Sequence, residues 1–474
     1  MYQLSGLDNL MVAGELPDIP LHMSALFIYE PGGKHAANVD HALACSVMQS
    51  AIDQQFPILR CKLDALPLAM DRGYWVEDKH FDITNHIAHV SLPAPANWAE
   101  LYRLCGEFQA QGLTLEQPLW EALLIEGLDH LSGVPTGSSA ILVKIHHAVM
   151  DGKAALQLFA SLHSLDPATD APTMAAQQKA NQSDYTSPAW WQKYGRAWWH
   201  NVQRPVDLAR DLLKVAPGLW QISQESSTAE QPTKPVPKTR FNAHVDHDRV
   251  VGHITMSLPR LKSIQKQYGC TINDIALCVV AGGLRKFLAD HDELPADSLV
   301  TAMPMDVRDK GDSEQVGNQV SIGTVPLHTD LRNIKARLNA IHAGSTRTRK
   351  RSAKLGPKAV LKVVDDLYPG IILWLGEWLM ASGHIDELPM PVNTIISNVP
   401  GVPVEVYMRG NRLIDFIGLG PLAPNVGLFH VISSTPSHVN ISFVSCKNFV
   451  GDGDEYRRAL RAAAKQVLRS LQAG

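Results

Sequence analysis

The stretch Ile141–Gly152, I-L-V-K-I-H-H-A-V-M-D-G, decides how this chain is read. The apolar run Ala140–Val143 suits a buried strand, and His146 and His147 fall where that strand ends. Asp151 and Gly152 turn the chain, after which Ala155, Leu156, Phe159 and Leu162 recur at helical spacing. A strand-to-helix junction holds its side chains at the rim of a sheet, a usual place for reactive groups in α/β proteins. Imidazole titrates near neutral pH, which suits a histidine there to general-base work. Two adjacent histidines carry little by themselves. The full H-H-x-x-x-D-G pattern behind a strand is far more selective.

Working outward, the first half alternates two patterns. His22–Tyr29 and Gly73–Val76 read as strands, Val39–Gln54 and Trp98–Gln111 as helices, and Trp120–Glu126 leads into the site strand. Composition then shifts, and Asp166–Thr239 is rich in Gln, Thr, Pro and Ser around a helical island from about Ala189 to Ile222. A second α/β pattern follows, with strands near Val250–Leu258, Leu299–Met305 and Gln319–Pro326. Its helical periods cover Leu261–Lys266, Asn273–Leu288 and Leu331–Thr348. The expectation is an α/β fold of two domains, residues 1–183 and 241–474, joined by a long, partly helical linker at 184–240. A degenerate repeat supports it: Ile441–Gly453, I-S-F-V-S-C-K-N-F-V-G-D-G, follows the plan of the site segment, with Lys447 and Asn448 where the first copy has histidines. That predicts one imidazole site per chain.

Composition sets bounds. The 474 residues suffice for two or three domains. A formal net charge of −4 gives no electrostatic reason to expect a nucleic-acid partner. The six cysteines, at 45, 61, 105, 270, 278 and 446, show no C-x-x-C pair and no zinc spacing, and read as reduced packing residues. No basic segment followed by an apolar one opens the chain, so no signal peptide is expected. The longest apolar stretch, Ile371–Ala381, is too short to span a bilayer and contains Glu377. No G-x-S-x-G elbow is present, which argues against a serine hydrolase.

H-H-x-x-x-D-G resembles the active-site signature of the CoA-dependent acyltransferase superfamily, which includes chloramphenicol acetyltransferase and condensation domains. Further segments narrow the resemblance to the bacterial wax ester synthase/diacylglycerol acyltransferase family. These are L-S-G-L-D at Leu4–Asp8, P-L-H-M at Pro20–Met23, P-L-W at Pro118–Trp120, N-D at Asn273–Asp274, P-M-D-V-R at Pro304–Arg308, G-N at Gly317–Asn318 and S-N-V-P-G at Ser397–Gly401. The resemblance implies two chloramphenicol acetyltransferase-like sandwich domains. It also implies transfer of a long-chain fatty acyl group from acyl-CoA, a substrate and not a cofactor, to a long-chain alcohol or to diacylglycerol.

In such enzymes the second histidine carries catalysis, so His147 is the expected base and His146 a neighbour that positions the loop. A triad would have Asp151 orient the histidine. The resemblance implies instead that Asp151 points away from the site and pairs with an arginine, for which Arg60 in P-I-L-R-C-K-L is the candidate. Gly152 is expected where the turn needs a positive φ or a bare Cα. Two candidates stand for the oxyanion donor: Asn273, opening a helical period behind the possible cap Thr271, and the pair Ser397 and Asn398. No metal ligands are expected. Trp120 is expected to pack and to do no acid-base work.

An apolar tunnel for the chains has two candidate walls. One is Asn273–Leu288, with small residues at Ala276, Ala281, Gly282 and Gly283. The other is Leu355–Leu379, with Ala359, Val360, Val363 and Leu367 at helical spacing. The linker carries W-W-Q-K-Y-G-R-A-W-W at Trp190–Trp199, where Trp interleaved with Lys193 and Arg196 suits lipid headgroup level. Packing across both domains would use the same aromatics. The expected location is the cytoplasm, in peripheral contact with the inner membrane face or lipid inclusions. Another alcohol or amine acyltransferase or a condensation-type enzyme is the alternative within the superfamily. A non-catalytic lipid-inclusion binding protein is the alternative outside enzymes, and two histidines at the site speak against it, since a coat needs no base.

Overall fold

The computed structural model describes residues 2–32, 39–168, 185–227, 235–306, 320–354, 365–371, 374, 378, 382 and 391–472. Two six-stranded mixed sheets dominate. The first runs in the order β12 (Tyr407–Met408), β13 (Asn411–Leu419), β2 (His22–Tyr29), β7 (Ser139–His146), β6 (Trp120–Glu126), β5 (Ile87–Ser91). The second runs β10 (Val320–Pro326), β9 (Val300–Asp306), β11 (Thr394–Asn398), β14 (Leu428–Ser434), β15 (His438–Ser445), β8 (Val250–Ser257). A small antiparallel sheet of β1 (Tyr2–Gln3), β4 (Tyr74–Glu77) and β3 (Cys61–Asp64) stands beside the first.

Strand β7 shows why an apolar run folds this way. From Ala140 to His146 every residue is buried, as a strand covered on both faces requires. Its side chains still alternate. Ala140 and Leu142 join the core that continues into the second sheet, whereas Ile141, Val143 and Ile145 join the core on the other face. That second core takes Ala44, Val47, Met48 and Ile52 from α2 (His41–Gln54) and Leu158 and Phe159 from α4 (Gly152–Ser161).

The internal repeat is visible in the pairing. β7 lies antiparallel between β2 and β6, and β6 runs parallel to β5. β15 likewise lies antiparallel between β8 and β14, and β14 runs parallel to β11. Each central strand then feeds a helix, α4 in the first copy and α10 (Asp454–Gln472) in the second, by way of the short α9 (Lys447–Val450). The sheets do not part at residue 240, however. β13 pairs antiparallel with β2, Leu419 opposite Ser24 and Leu413 opposite Tyr29, so a strand from the C-terminal half borders the sheet that holds the histidines.

Further helices among the described residues are α1 (Gly6–Ala13), α3 (Trp98–Ala110), α5 (Trp190–Ser227), α6 (Leu258–Tyr268), α7 (Ile272–Asp290) and α8 (Ile334–Lys354). The linker island is thus one helix, α5. The small residues of α7 serve contact and not a cavity: a Cβ on Gly283 would collide with Leu460, and one on Gly282 would press on Ala463 at 3.0 Å. Close approach of α10 is what those glycines allow. Of the second tunnel candidate, Ala359, Val360 and Val363 lie outside the described residues, as do Arg308 and the G-N pair Gly317–Asn318, while Leu367 is described and half-buried. Five of the six cysteines are buried and Cys45 is partly exposed. No helix among the described residues is long and apolar enough to cross a membrane.

Candidate active site

His146 is the last residue of β7, fully buried, and pairs across the ladder with His22 of β2. Its Nδ1 accepts the Ala148 amide at 3.0 Å, and its Nε2 lies 3.0 Å from Glu15 Oε2. An Nδ1 that accepts leaves the proton on Nε2, where it is donated to the carboxylate. The ring thereby ties the loop after β7 at two points. His147, half-buried, donates its backbone amide to the Leu21 carbonyl at 3.0 Å. The second histidine is therefore presented from a loop fixed to β2 on one side and to Glu15 on the other.

Glu15 had no signature in the sequence, but its approach did. In L-S-G-L-D, Ser5 caps α1 by accepting the Asp8 amide, and its hydroxyl donates to Asp8 Oδ2 at 2.6 Å. That capped helix ends at Ala13 and hands Glu15 to His146. P-L-H-M contributes His22, whose Nε2 meets the Gln109 carbonyl at 2.9 Å. Burial first, and the nearby Lys144 ammonium second, hold His22 well below the ordinary histidine range, so the ring is neutral. Lys144 is itself fully buried and donates to the Phe108 and Gln111 carbonyls at 3.1 and 2.9 Å, with Glu121 at 3.1 Å. Burial lowers its affinity for the proton and Glu121 offsets that. These contacts clamp α3 to β7 directly beneath the histidine loop.

Trp120 of P-L-W packs as expected. It is fully buried, donates Nε1 to the Leu59 carbonyl at 2.6 Å, and stacks on His86 with 4.8 Å between ring centroids. The adjoining Leu119 carbonyl accepts the His146 amide at 3.0 Å.

Two expectations are corrected. Arg60 does not hold Asp151; its guanidinium faces Asp53 at 3.0 Å and Glu77 at 3.6 Å, carboxylates that reach it from its own corner of the fold. Asp151 is buried, and its Oδ1 accepts the Ala154 amide at 2.9 Å, the N-cap of α4. Gly152 has no positive φ, and among the described residues a Cβ there would meet nothing within 4 Å, so none of them explains that glycine.

Both oxyanion candidates lie on the second sheet or its cover. Thr271 and Asp274 form a capping box at the start of α7, and Asp274 also takes hydrogen bonds from His342 Nδ1 at 2.8 Å and Ser345 Oγ at 2.7 Å. Asp274 is thus structural. Asn273 beside it is half-buried, and among the described residues its Nδ2 meets the Met303 thioether of β9 at 3.6 Å, a weak acceptor. Ser397 and Asn398 end β11, which runs parallel to β9 and β14, with Ser397 half-buried and Asn398 exposed. The turn after them needs Gly401, since a Cβ there would strike the backbone of Ser434.

Comparison with known proteins agrees with this architecture. Residues 4–276 match the model of the wax ester synthase/diacylglycerol acyltransferase catalytic domain, and residues 316–467 match the WS/DGAT C-terminal domain. The chain is 30% identical over 461 residues to "Putative diacyglycerol O-acyltransferase Rv1760" of Mycobacterium tuberculosis, covering 95% of this chain and 87% of that one. In structure it resembles a wax ester synthase/diacylglycerol acyltransferase from Marinobacter aquaeolei, with a TM-score of 0.69 at 21% identity over 100% of this chain and 99% of that one. It also resembles the starter condensation domain of rhizomide synthetase in complex with C8-CoA, with a TM-score of 0.54 at 15% identity over 98% and 94% of the two chains. The chain belongs to the wax ester synthase/diacylglycerol acyltransferase family.

Proposed function

We propose that this protein transfers a long-chain fatty acyl group from acyl-CoA to a long-chain alcohol, giving a wax ester, or to diacylglycerol, giving triacylglycerol. The observation that carries the reading is the fixed loop: His147 is held at the end of β7 by the Leu21 carbonyl and by the neighbouring Glu15–His146 pair. A general base must be held within hydrogen-bond reach of the proton it takes.

In this mechanism the acceptor hydroxyl attacks the thioester carbonyl carbon while His147 takes its proton. The C–S bond of the resulting tetrahedral species breaks, the imidazolium protonates the leaving thiolate, and ester and free CoA result. Thiolate is a good leaving group, so no covalent enzyme intermediate is needed. Asn273 is our choice for the oxyanion donor, because its amide is half-buried and among the described residues meets a thioether, a weak acceptor. Ser397 and Asn398 then shape the opposite wall. His146 acts as a positioning residue, and Asp151 holds the start of α4. The apolar acceptor and product favour work against a lipid phase, which on this reading is the inner membrane face or a lipid inclusion reached from the cytoplasm.

The test is release of CoA thiol from palmitoyl-CoA by purified protein, with and without hexadecanol or dioleoylglycerol. Release that depends on the acceptor and matches ester formed supports the reading. Release independent of any acceptor makes the protein a thioesterase, and no release removes the catalytic reading in favour of a binding protein.

A further inference from the structure

Helix α5 has two sides of opposite character. Ala197, Arg204 and Asp211, each two turns from the next, are at most 4% exposed and face the body of the protein. Ala197 packs with Leu66, Tyr74 and Val76, Arg204 and His200 hold Asp71, and Lys193 pairs with Asp64. Trp190 is exposed at the start of the helix, and the far side carries Trp191, Trp198, Trp199, Val206 and Leu213, which are between 52% and 74% exposed. At about 100° per residue the residues from Trp191 to Leu213 on that side fall within about a third of the helix circumference over a length of about 33 Å. From 191 to 213 no polar side chain falls in that arc, whose edges are Trp198 and Trp199. Gln192, Gln203 and Arg210 border it on one edge and Tyr194 and Asn201 on the other, where Asn201 Nδ2 donates to the Met70 carbonyl at 2.9 Å.

A second apolar row borders the first. Ile371, Trp374 and Trp378 recur at helical spacing and are 48% to 62% exposed. Tyr368 joins the two rows. Pro205 has no N–H for the Asn201 carbonyl, and the Tyr368 hydroxyl donates to that oxygen at 3.4 Å, while the Arg204 guanidinium lies 5.6 Å over the Tyr368 ring. Leu68, 90% exposed, sits beside Gly370 in the same region.

Charge and shape together select the occupant. Lys193 is paired with Asp64, Arg204 with Asp71, Arg210 with Asp207 and Asp211, and Lys214 with Asp211. These four cations are engaged with the protein's own carboxylates, while Arg196, exposed on the helix, lies against the Tyr74 hydroxyl and is the one cation of this stretch with no carboxylate partner among the described residues. The apolar side therefore presents little positive field to an anionic partner. The side chains project from a convex cylinder. A protein partner would need a matched groove, whereas the boundary between headgroups and acyl chains deforms around projecting indoles, which favour that depth.

We propose that this face of α5, with the Ile371–Trp378 row beside it, seats the protein on a neutral or zwitterionic lipid surface, held by apolar burial and not by charge. The role of such a seat rests on the acyltransferase reading above, since acceptor and product are lipids. The binding itself does not.

The experiment uses the whole chain with phosphatidylcholine vesicles and with phosphatidylcholine-coated triolein droplets, scored by flotation and by the shift in tryptophan emission. Binding is expected to change less than about twofold between roughly 0.05 and 0.5 M NaCl, a range over which screening of exposed charges rises steeply. The triple variant W191S/W198S/L213S is expected to lose about tenfold or more in partition coefficient, since binding of such a helix scales with buried apolar area. Its rate on palmitoyl-CoA with hexanol, a water-soluble acceptor, stays at the parent value. Binding that requires phosphatidylglycerol and vanishes at high salt overturns the proposal. So does absence of vesicle binding, or a triple variant that binds vesicles normally but loses self-association, which would assign the face to a second copy. No turnover enters the flotation assay, so failure of the acyltransferase reading is seen separately in thiol release.

Discussion

Glu15 Oε2 stands 3.0 Å from His146 Nε2 across a sequence separation of 131 residues, and through that contact the chain's first helix fixes the loop that carries His147. Glu15→Gln removes the charge while keeping the shape. Charge-assisted hydrogen bonds contribute about 1.5–3 kcal/mol, so kcat is expected to fall by about 10- to 100-fold. The KM for acyl-CoA should change little, and Glu15→Asp should recover part of the rate. A parental kcat in the Gln variant would leave Glu15 with a structural role alone.

His147→Ala is expected to lower acceptor-dependent thiol release by roughly 10²–10⁴ while the circular dichroism and melting temperature stay at parental values. His146→Ala should be milder in rate but should lower the melting temperature, because it removes the buried contacts to Glu15 and Ala148. Near-normal turnover in a folded His147→Ala protein would sink the general-base mechanism.

Arg60 and Asp151 should not couple. Arg60→Met breaks partly exposed pairs with Asp53 and Glu77, which contribute about 0–1 kcal/mol. Asp151→Ala removes a helix cap, at a cost of about 1 kcal/mol. In a double-mutant cycle of denaturant unfolding the two costs should add. A coupling energy above about 1 kcal/mol would show that the two residues share an interaction in solution.

Gly152→Ala is expected to leave stability unchanged or raise it by up to about 1 kcal/mol, since alanine favours a helix and the added methyl meets no neighbour among the described residues. Loss of turnover in that stable variant would show that the bare Cα serves the approach of substrate. Loss of stability would mean the open space seen beside Gly152 is filled in solution.

Burial pushes the His163 and His253 rings down to about 4. Their folded pKa lies below the unfolded value of about 6.5, so the unfolded chain binds the proton better. The contribution of each is complete above about pH 6.5 and is lost progressively as pH falls toward 4, reaching about 2 kcal/mol per ring at pH 5. Stability by chemical denaturation should therefore drop between pH 7 and pH 5. His163→Gln, which bonds without titrating, should make that drop shallower. An equal slope in parent and variant would place the His163 titration elsewhere.

What could be read in the sequence was whatever depends on neighbours in the chain. Strand β2 spans His22–Tyr29, where the sequence reads as a strand, and β7 and the helix after Asp151 also stand where expected. Thr271 and Asp274 lie three residues apart, and their capping box was accessible for that reason. The contacts that shape the site are not local. Glu15 reaches His146 only once α1 is seated, and Arg60 chose Asp53 and Glu77 because folding placed those carboxylates nearer than Asp151. The small residues of α7 are ambiguous in sequence for a related reason: α10 fills the space beside them, and its partner surface is more than a hundred residues away. Trp190, Trp191, Trp198 and Trp199 of α5 are exposed and so were not spent on packing between the halves.

Strand β13 ties the catalytic sheet to the order of synthesis. Arg412, at its start, pairs with Glu30 across 382 residues, and Gly418 stands opposite Ala25. Until the ribosome has delivered that strand, the edge of β2 is a bare row of amides and carbonyls, beside histidines already translated. The nascent chain therefore carries its active loop in an unfinished sheet through most of translation, when pairing with another chain is the competing reaction. A fragment ending before residue 407 should accordingly be insoluble and idle, and a separately supplied C-terminal half should restore solubility and, on the acyltransferase reading, thiol release. On that reading activity waits for one closing step, the pairing of β13 with β2.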